Sequence, residues 1–311
     1  MINSNADITV LAPPGRPHPY LSLGASLYMP ATRRDLRDLL RGRKLEGLRS
    51  LVLCTEDAVH PEALGEAMAN LRRVLPGLGD RGPLRFVRPR NPEVLAEILR
   101  IPGSQNLDGV CLPKVDAHNL EPYLEVLEAA PQLAIMPIIE TEIAFCDAAL
   151  GALRQRLDTV RERVVCVRIG GNDLLQILGM KRPAHLTAYD TPLGLVIDRI
   201  LIALRPHGYE LSAPVFEHIE RPDVLERELQ LDVARALFAK TAIHPTQTAI
   251  IEAAYRVAPE EAALAEAILD PRAAAVFRFA GQMAETATHG RWAQRTLARR
   301  HAYAGDPGVV S

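Results

Sequence analysis

Short apolar runs rich in β-branched residues recur along the chain, each followed by a longer segment whose apolar positions fall at i, i+3 and i+4. Strands buried on both faces of a parallel sheet read as continuous apolar runs, whereas the helices covering them are amphipathic. Eight such runs stand at 22–30 (SLGASLYMP), 50–57 (SLVLCTED), 84–90 (LRFVRPR), 108–114 (DGVCLPK), 134–141 (AIMPIIET), 164–171 (VVCVRIGG), 211–217 (LSAPVFE) and 239–245 (AKTAIHP). Between them lie helical patterns such as PEALGEAMANLRRVL and LEPYLEVLEAA, with charges on the opposite face. Thr32, Asn91 and Asn172 stand where helices should begin, Pro61 and Pro92 suit a first turn, and Pro-Gly pairs at 76–77 and 102–103 close helices.

Eight strand–helix pairs predict an α/β fold, a closed (β/α)8 TIM barrel over residues 21–258, rather than two domains. Residues 1–20, with PPGRP at 13–17, form an irregular lead-in. After the sixth strand, ILGMKRPAHLTAYDTPLG is a loop longer than usual, and such loops tend to be functional. Residues 259–311 are a C-terminal helical extension, with an alanine-rich helix over 260–287 and then a basic tail. Its plain reading is a helix packed across the barrel or onto a neighbouring subunit. The functional reading is a lid that brings Arg291, Arg295, Arg299 and Arg300 to an anionic substrate.

Composition removes several alternatives. With 48% hydrophobic and 24% charged residues among 311, the chain is neither disordered nor fibrous. Lys and Arg number 36 against 38 Asp and Glu, a net charge of -2, so no basic field recruits nucleic acid or an anionic membrane. No apolar stretch reaches the ~18 residues of a membrane span, and no signal peptide is evident, so the expected location is the cytoplasm. Cys54, Cys111, Cys146 and Cys166 form no C-x-x-C pair and are expected to be reduced and buried.

In this fold the chemistry sits at the carboxyl ends of the strands, and polar residues gather there. Arg33 follows the first run, Glu56 and Asp57 end the second, and Arg88 and Arg90 lie in the third. Lys114 ends the fourth, Glu140 the fifth, Glu217 the seventh and His244 the eighth, while Gly170, Gly171 and Asp173 close the sixth. Glu140 and Asp173, on consecutive staves, make an oxygen-rich site of the kind Mg²⁺ or Mn²⁺ prefers; the plain alternative is that each caps a helix. Lys114 either binds a carboxylate or pairs with Glu56 or Asp57. His244 is either a base or a hydrogen-bonded structural residue. Gly170 and Gly171 permit close approach of a ligand but are no dinucleotide fingerprint.

The runs LYMPATR (27–33), TEDAV (55–59), VRPRN (87–91), LDGVCLPKV (107–115), IIET (138–141), GGNDLLQILG (170–179) and KTAIHPTQ (240–247) appear in that order. Together they resemble the motifs VPG-x-R, EDAV, VR-x-N, LPK, IET, G-x-x-DL and IHP-x-Q of the citrate lyase β-subunit and HpcH/HpaI aldolase superfamily. The resemblance implies a barrel that assembles as a trimer or hexamer and breaks or forms carbon–carbon bonds beside a carbonyl with a divalent metal. It also implies that Glu140 and Asp173 are the metal ligands and that an arginine of VRPRN polarises the substrate carbonyl. Spacing from the valine selects Arg88 and spacing from the asparagine selects Arg90; on a strand both share a face.

Two departures bear on the substrate. Ala31 replaces the glycine of VPG-x-R, although Arg33 is kept. Relatives that use acyl-CoA often carry a C-terminal G-K-M-[IV]-D, where this chain has AETATHGRWAQRT and the Asp is missing. The expected function is a metal-dependent lyase or aldolase acting on a small anionic oxo- or hydroxy-acid or its CoA thioester, with poor use of malyl-CoA. The alternative is a non-catalytic metal- or ligand-binding component of a biosynthetic or stress-response complex.

Overall fold

The computed structural model describes residues 20–79 and 82–303, so PPGRP lies outside the described residues. The barrel begins with β1 (Ala25–Pro30), α1 (Leu36–Leu40), β2 (Ser50–Cys54), α2 (Leu64–Val74), β3 (Leu84–Arg88) and α3 (Pro92–Leu99). It continues through β4 (Gly109–Leu112), α4 (Leu120–Leu127), β5 (Ala134–Ile139), α5 (Asp147–Asp158), β6 (Val167–Ile169), α6 (Gly171–Ile177) and α7 (Leu193–Leu204). It ends with β7 (Leu211–Ser212), α8 (Pro222–Ala234), β8 (Lys240–Ala242) and α9 (Pro245–Ala254). All eight strands are parallel in the order β7-β6-β5-β4-β3-β2-β1-β8, and a bridge between Ala213 and Lys240 closes the ring.

Local chemistry sets the boundaries. Asn91 accepts from the Val94 N–H at 2.8 Å and Pro92 fills the first position, which starts α3 as expected. In α2 the buried Ala67, Met68, Leu71 and Val74 form the apolar stripe that rests on the sheet. Strands six to eight are shorter than the sequence predicts. Pro214 has no N–H for a ladder, so β7 stops after Ser212, and the chain turns into α6 at Gly170. Cys54, Cys111 and Cys166 are buried, but Cys146, at the turn before α5, is exposed.

The long loop after α6 is tied down by buried charge. Lys240 Nζ lies 2.7 Å from Glu228 and 2.9 Å from Asp232, all three fully buried between β8 and α8. Glu228 also pairs with Arg182 and accepts from the Ala188 N–H, both residues of that loop.

The extension corrects the sequence reading in one respect and, in another, favours its plain alternative, a helix packed across the barrel. After α10 (Pro259–Leu269) comes a hairpin, β9 (Val276–Phe279) and β10 (Gln282–Glu285), where a continuous helix to 287 is expected. Ala280 and Gly281 turn it with φ of 45° and 87°, the left-handed pair a two-residue hairpin requires. The closing helix α11 (Thr286–Tyr303) then crosses the amino-terminal end of the barrel. Arg295 pairs with Glu210 just before β7, and the Tyr303 hydroxyl donates to Phe238 O at 3.2 Å just before β8. Arg49, preceding β2, donates to Ala302 O at 2.8 Å. Arg299 and Arg300 pair with Glu261 and Glu266 of α10. These arginines therefore lie at the end opposite the barrel mouth, and α11 is no lid on its own barrel.

Candidate active site

The ends of β2 to β6 bring six charged side chains to one mouth. Arg88, the last residue of β3, points its Nη2 at three carboxylates: Glu56 at 2.6 Å, Asp57 at 3.1 Å and Glu140 at 3.0 Å. Lys114, just past β4, places Nζ 2.6 Å from Glu56 and 3.1 Å from Asp57. Its backbone N–H donates to Glu140 Oε1 at 2.9 Å. Lys114 has a φ of 52°, unusual for a side-chain-bearing residue, and this turn lets one residue face Glu140 with its amide and Glu56 with its amine. The alternation expected to put Arg88 and Arg90 on one face fails because β3 ends at Arg88. Arg90 turns instead to the loop after β2, donating to Val59 O at 2.5 Å and Glu56 O at 3.2 Å.

Glu140 is 3% exposed and Glu56 6%. Burial pushes the Glu140 carboxyl up from the ordinary range to about 7; Arg88 opposes this and Asp173 reinforces it. Burial and the nearby Asp57 likewise raise Asp173, against the pull of Lys114 and Arg88. At Asp57 burial acts upward too, but hydrogen bonds with Glu56 and Lys114 and the charge of Arg88 outweigh it and hold the carboxyl low. The four acids thus divide. Glu56 and Asp57 neutralise Arg88 and Lys114, whereas Asp173 has no ion pair and Glu140 Oε2 no hydrogen bond among the described residues.

That second pair fits a hard divalent cation: oxygen donors only, just past adjacent staves, with Glu140 made harder to ionise by the charge of Asp173 and Asp173 by that of Asp57. Among the described residues no cluster of three or more His, Cys, Asp or Glu forms a full protein cage, so further ligands would be water or substrate. Beside the cluster a cleft of about 330 Å³ opens between α3 and α4, lined by Arg90, Pro113, Lys114, Asn119 and Tyr123 among others.

The remaining candidates are placed elsewhere or carry other duties. Arg33 is largely exposed and held by Asp35 through two bonds of 2.8 Å. Glu217 is taken up by the buried Arg182, with His218 3.7 Å away. His244 caps α9, accepting from the Thr246 N–H at 3.3 Å, while Gln247 reaches back to Ile243 N and across to Phe216 O. The IHP-x-Q run thus locks β8 to the segment after β7. Gly170 makes room for a protein side chain rather than a ligand: a Cβ there would lie 2.3 Å from Glu140 Cβ. At Gly171 it would meet Pro214 at 2.8 Å. Two arginines have no role in the sequence reading. Arg182 lies in the long loop, and Arg168 is the single charge inside the apolar run VVCVRI, which is the signal that could have exposed it.

A family model described as C-C bond lyase of the TIM-barrel fold matches residues 18–305. The chain belongs to this family. Among curated proteins this C–C bond lyase family member is similar to (3S)-malyl-CoA thioesterases of Cereibacter sphaeroides, one of them 27% identical over 251 residues, covering 80% of this chain and 81% of the relative. Among solved structures it resembles the Mycobacterium tuberculosis protein CitE in complex with magnesium, acetoacetate and coenzyme A. That match has a TM-score of 0.66 and 22% identity, and covers 89% of this chain and 98% of CitE. RipC from Yersinia pestis matches with a TM-score of 0.60 and 18% identity over 78% of this chain and 99% of RipC. These structures share the fold of this family member.

Proposed function

We propose that the chain is a metal-dependent carbon–carbon lyase or aldolase acting on a small anionic oxo- or hydroxy-acid or its CoA thioester. Glu140 and Asp173 would hold Mg²⁺ or Mn²⁺; the observation that carries this is that, of four carboxylates in the mouth, these two keep oxygens free of any protein cation. Such a cation, when bound, polarises a carbonyl oxygen and offsets the charge that develops beside it as the carbon–carbon bond breaks. Arg88 is the side chain placed to orient that carbonyl or its carboxylate. Its Nη2 lies 3.0 Å from Glu140, which puts the guanidinium beside the proposed cation.

Glu56 and Asp57 hold Arg88 and Lys114 in place, and Lys114 fixes Glu140 through its amide. The superfamily resemblance extends the proposal to a cytoplasmic homo-oligomer, a trimer or hexamer. A second reading, hydrolysis of an acyl-CoA thioester, is favoured by the name of the Cereibacter sphaeroides relatives. The same carbonyl-polarising site would serve it.

Calorimetric titration of Mg²⁺ into wild type, Glu140→Ala and Asp173→Ala tests the metal assignment. The expected outcome is binding in wild type and loss in both variants, with unchanged far-UV circular dichroism. Product analysis by NMR on a panel of oxo- and hydroxy-acids and thioesters then separates bond cleavage from hydrolysis. Wild-type metal affinity in both variants would remove the mechanism, and thioester hydrolysis with the carbon skeleton intact would replace it by the second reading.

A further inference from the structure

Below the mouth, inside the barrel, lies a guanidinium that the mechanism above does not use. Arg168, in the middle of β6, is 2% exposed. Arg88, Arg182 and Lys240, the other cations described above as buried, each face two or three carboxylates. Arg168 faces none among the described residues. Its partners are the Thr241 hydroxyl at 2.5 Å, the Ser26 hydroxyl at 3.3 Å, the Met136 sulfur at 3.8 Å and the face of Tyr28, 5.1 Å from the ring centre. Hydroxyls and a ring face solvate a cation but leave its charge unbalanced, and an unbalanced charge in a barrel core is costly. A strand needing only an apolar filler at this point is served by leucine or methionine.

The surroundings show where the balancing anion enters. Lys240 points outward to α8, so its neighbour Thr241 faces the barrel interior, next to Arg168. Thr241 and Tyr28 are only half-buried, whereas Ser26, Ser212 and Cys166, deeper in the same interior, are fully buried. The opening that reaches the two half-buried residues is the mouth. The Thr241 hydroxyl accepts from Arg168 and donates to no described atom, so its own proton is free to point up into the mouth. Higher up, a second anionic group would meet Glu56, Asp57, Glu140 and Asp173. Both cations there, Arg88 and Lys114, are already engaged with acids.

We infer that Thr241 and Arg168 form the receptor for a second carboxylate of the substrate. Thr241 donates the hydrogen bond, and Arg168 behind it supplies the charge and fixes the hydroxyl. This rests on the proposed reading of the mouth as a metal-dependent oxo- or hydroxy-acid site, and narrows the substrate class to acids carrying a carboxylate at each end. Arg168 is here a positioning residue and Thr241 the contact.

Malate and lactate, which share the 2-hydroxy-acid end and differ by one carboxylate, are suitable stable probes for calorimetry with the Mg²⁺-loaded protein. Wild type is expected to bind malate at least tenfold more tightly than lactate. Arg168→Met should lose at least tenfold on malate, leave lactate and Mg²⁺ affinity within a few-fold, and be partly rescued by Arg168→Lys. Thr241→Val keeps the guanidinium charge and its Nη1 bond to Ser26 and should also lose the preference for malate, so the inference stays testable if Arg168→Met fails to fold. A wild-type protein without Mg²⁺ affinity would overturn the parent reading. A wild-type protein that binds Mg²⁺ but not malate, or malate no better than lactate, would overturn this one, as would an undiminished preference in folded Thr241→Val or Arg168→Met.

Discussion

Replacing Gly170 by alanine tests whether Glu140 is held in place by shape. At φ -86° the backbone accepts any residue, so the effect of Gly170→Ala is purely steric. The new Cβ would stand 2.3 Å from Glu140 Cβ and 2.5 Å from its Oε2, whereas ordinary contact begins near 3.4 Å. Glu140 or the start of α6 must therefore give by about an ångström. Glu140 cannot yield freely, because Oε1 is fixed by Arg88 at 3.0 Å and by the Lys114 amide at 2.9 Å. Overpacking of this kind costs ~1–3 kcal/mol, and breaking one charged hydrogen bond adds ~1.5–3 kcal/mol. A loss of ~2.5–6 kcal/mol in urea unfolding without metal follows, together with a fall in Mg²⁺ affinity of about 10- to 100-fold, as for other changes that misplace a ligand. Gly171→Ala is the control. Its Cβ meets Pro214 at 2.8 Å and Leu193 at 3.3 Å, away from Glu140, so it should lose stability and keep Mg²⁺ affinity. Wild-type Mg²⁺ binding by Gly170→Ala would refute either the ligand assignment or the tight packing behind it.

The two strand-three arginines should separate. Arg88→Met leaves three acids without their shared cation and should cost ~3–5 kcal/mol in metal-free thermal or urea unfolding. Mg²⁺ should then raise the melting temperature more than in wild type, and an equal or smaller rise would contradict this. Arg90→Met loses bonds to two carbonyls, worth ~1–3 kcal/mol, and should keep turnover and Mg²⁺ binding. Cleavage of malyl-CoA and citramalyl-CoA should be weak or absent, since AETATHGRWAQRT lacks the C-terminal acid and Arg295, Arg299 and Arg300 are engaged by Glu210, Glu261 and Glu266 at the far end of the barrel. Efficient Mg²⁺-dependent release of acetyl-CoA in a coupled assay would sink that expectation.

The barrel was legible because strands buried on both faces have nowhere to put polar residues, so runs such as SLVLC and GVCL stand out from the helices. Strand ends were less so. Whether alternation continues past Arg88 depends on the last ladder hydrogen bond, and no pattern of side chains announces that. The hairpin at 276–285 was hidden by the alanine-rich helix before it, although VFRF carries a β-branched and aromatic signal in a short space. Among charges, the rule that polar residues collect at strand ends found the mouth. Beyond offering Glu56 or Asp57 as the partner of Lys114, which the structure shows, it did not say which acid meets which cation. Glu217 stands at a strand end like Glu140, yet Arg182 in the preceding loop claims it, a pairing set by tertiary structure alone. Arg168 escaped for the opposite reason, since a lone charge within an apolar run looks like noise until the strand is closed into a barrel.

The distribution of charge in the mouth suggests what four acids would do around the proposed two-ligand metal site. Glu56 is fully used: one oxygen meets Lys114 at 2.6 Å, and the other meets Arg88 at 2.6 Å and the Asp57 N–H at 2.7 Å. Both oxygens are thus held by cations, and Glu56 acts by position. It keeps two cations beside Glu140 without letting them close over Oε2. Without Glu56 and Asp57, Arg88 and Lys114 would turn wholly to Glu140 and Asp173 and occupy the place of a divalent ion. With them, the six charges sum to two negative, and a divalent cation brings the mouth to neutrality. The charge that then remains unbalanced is that of Arg168 below, and a substrate carboxylate reaching the floor of the barrel is the group that balances it.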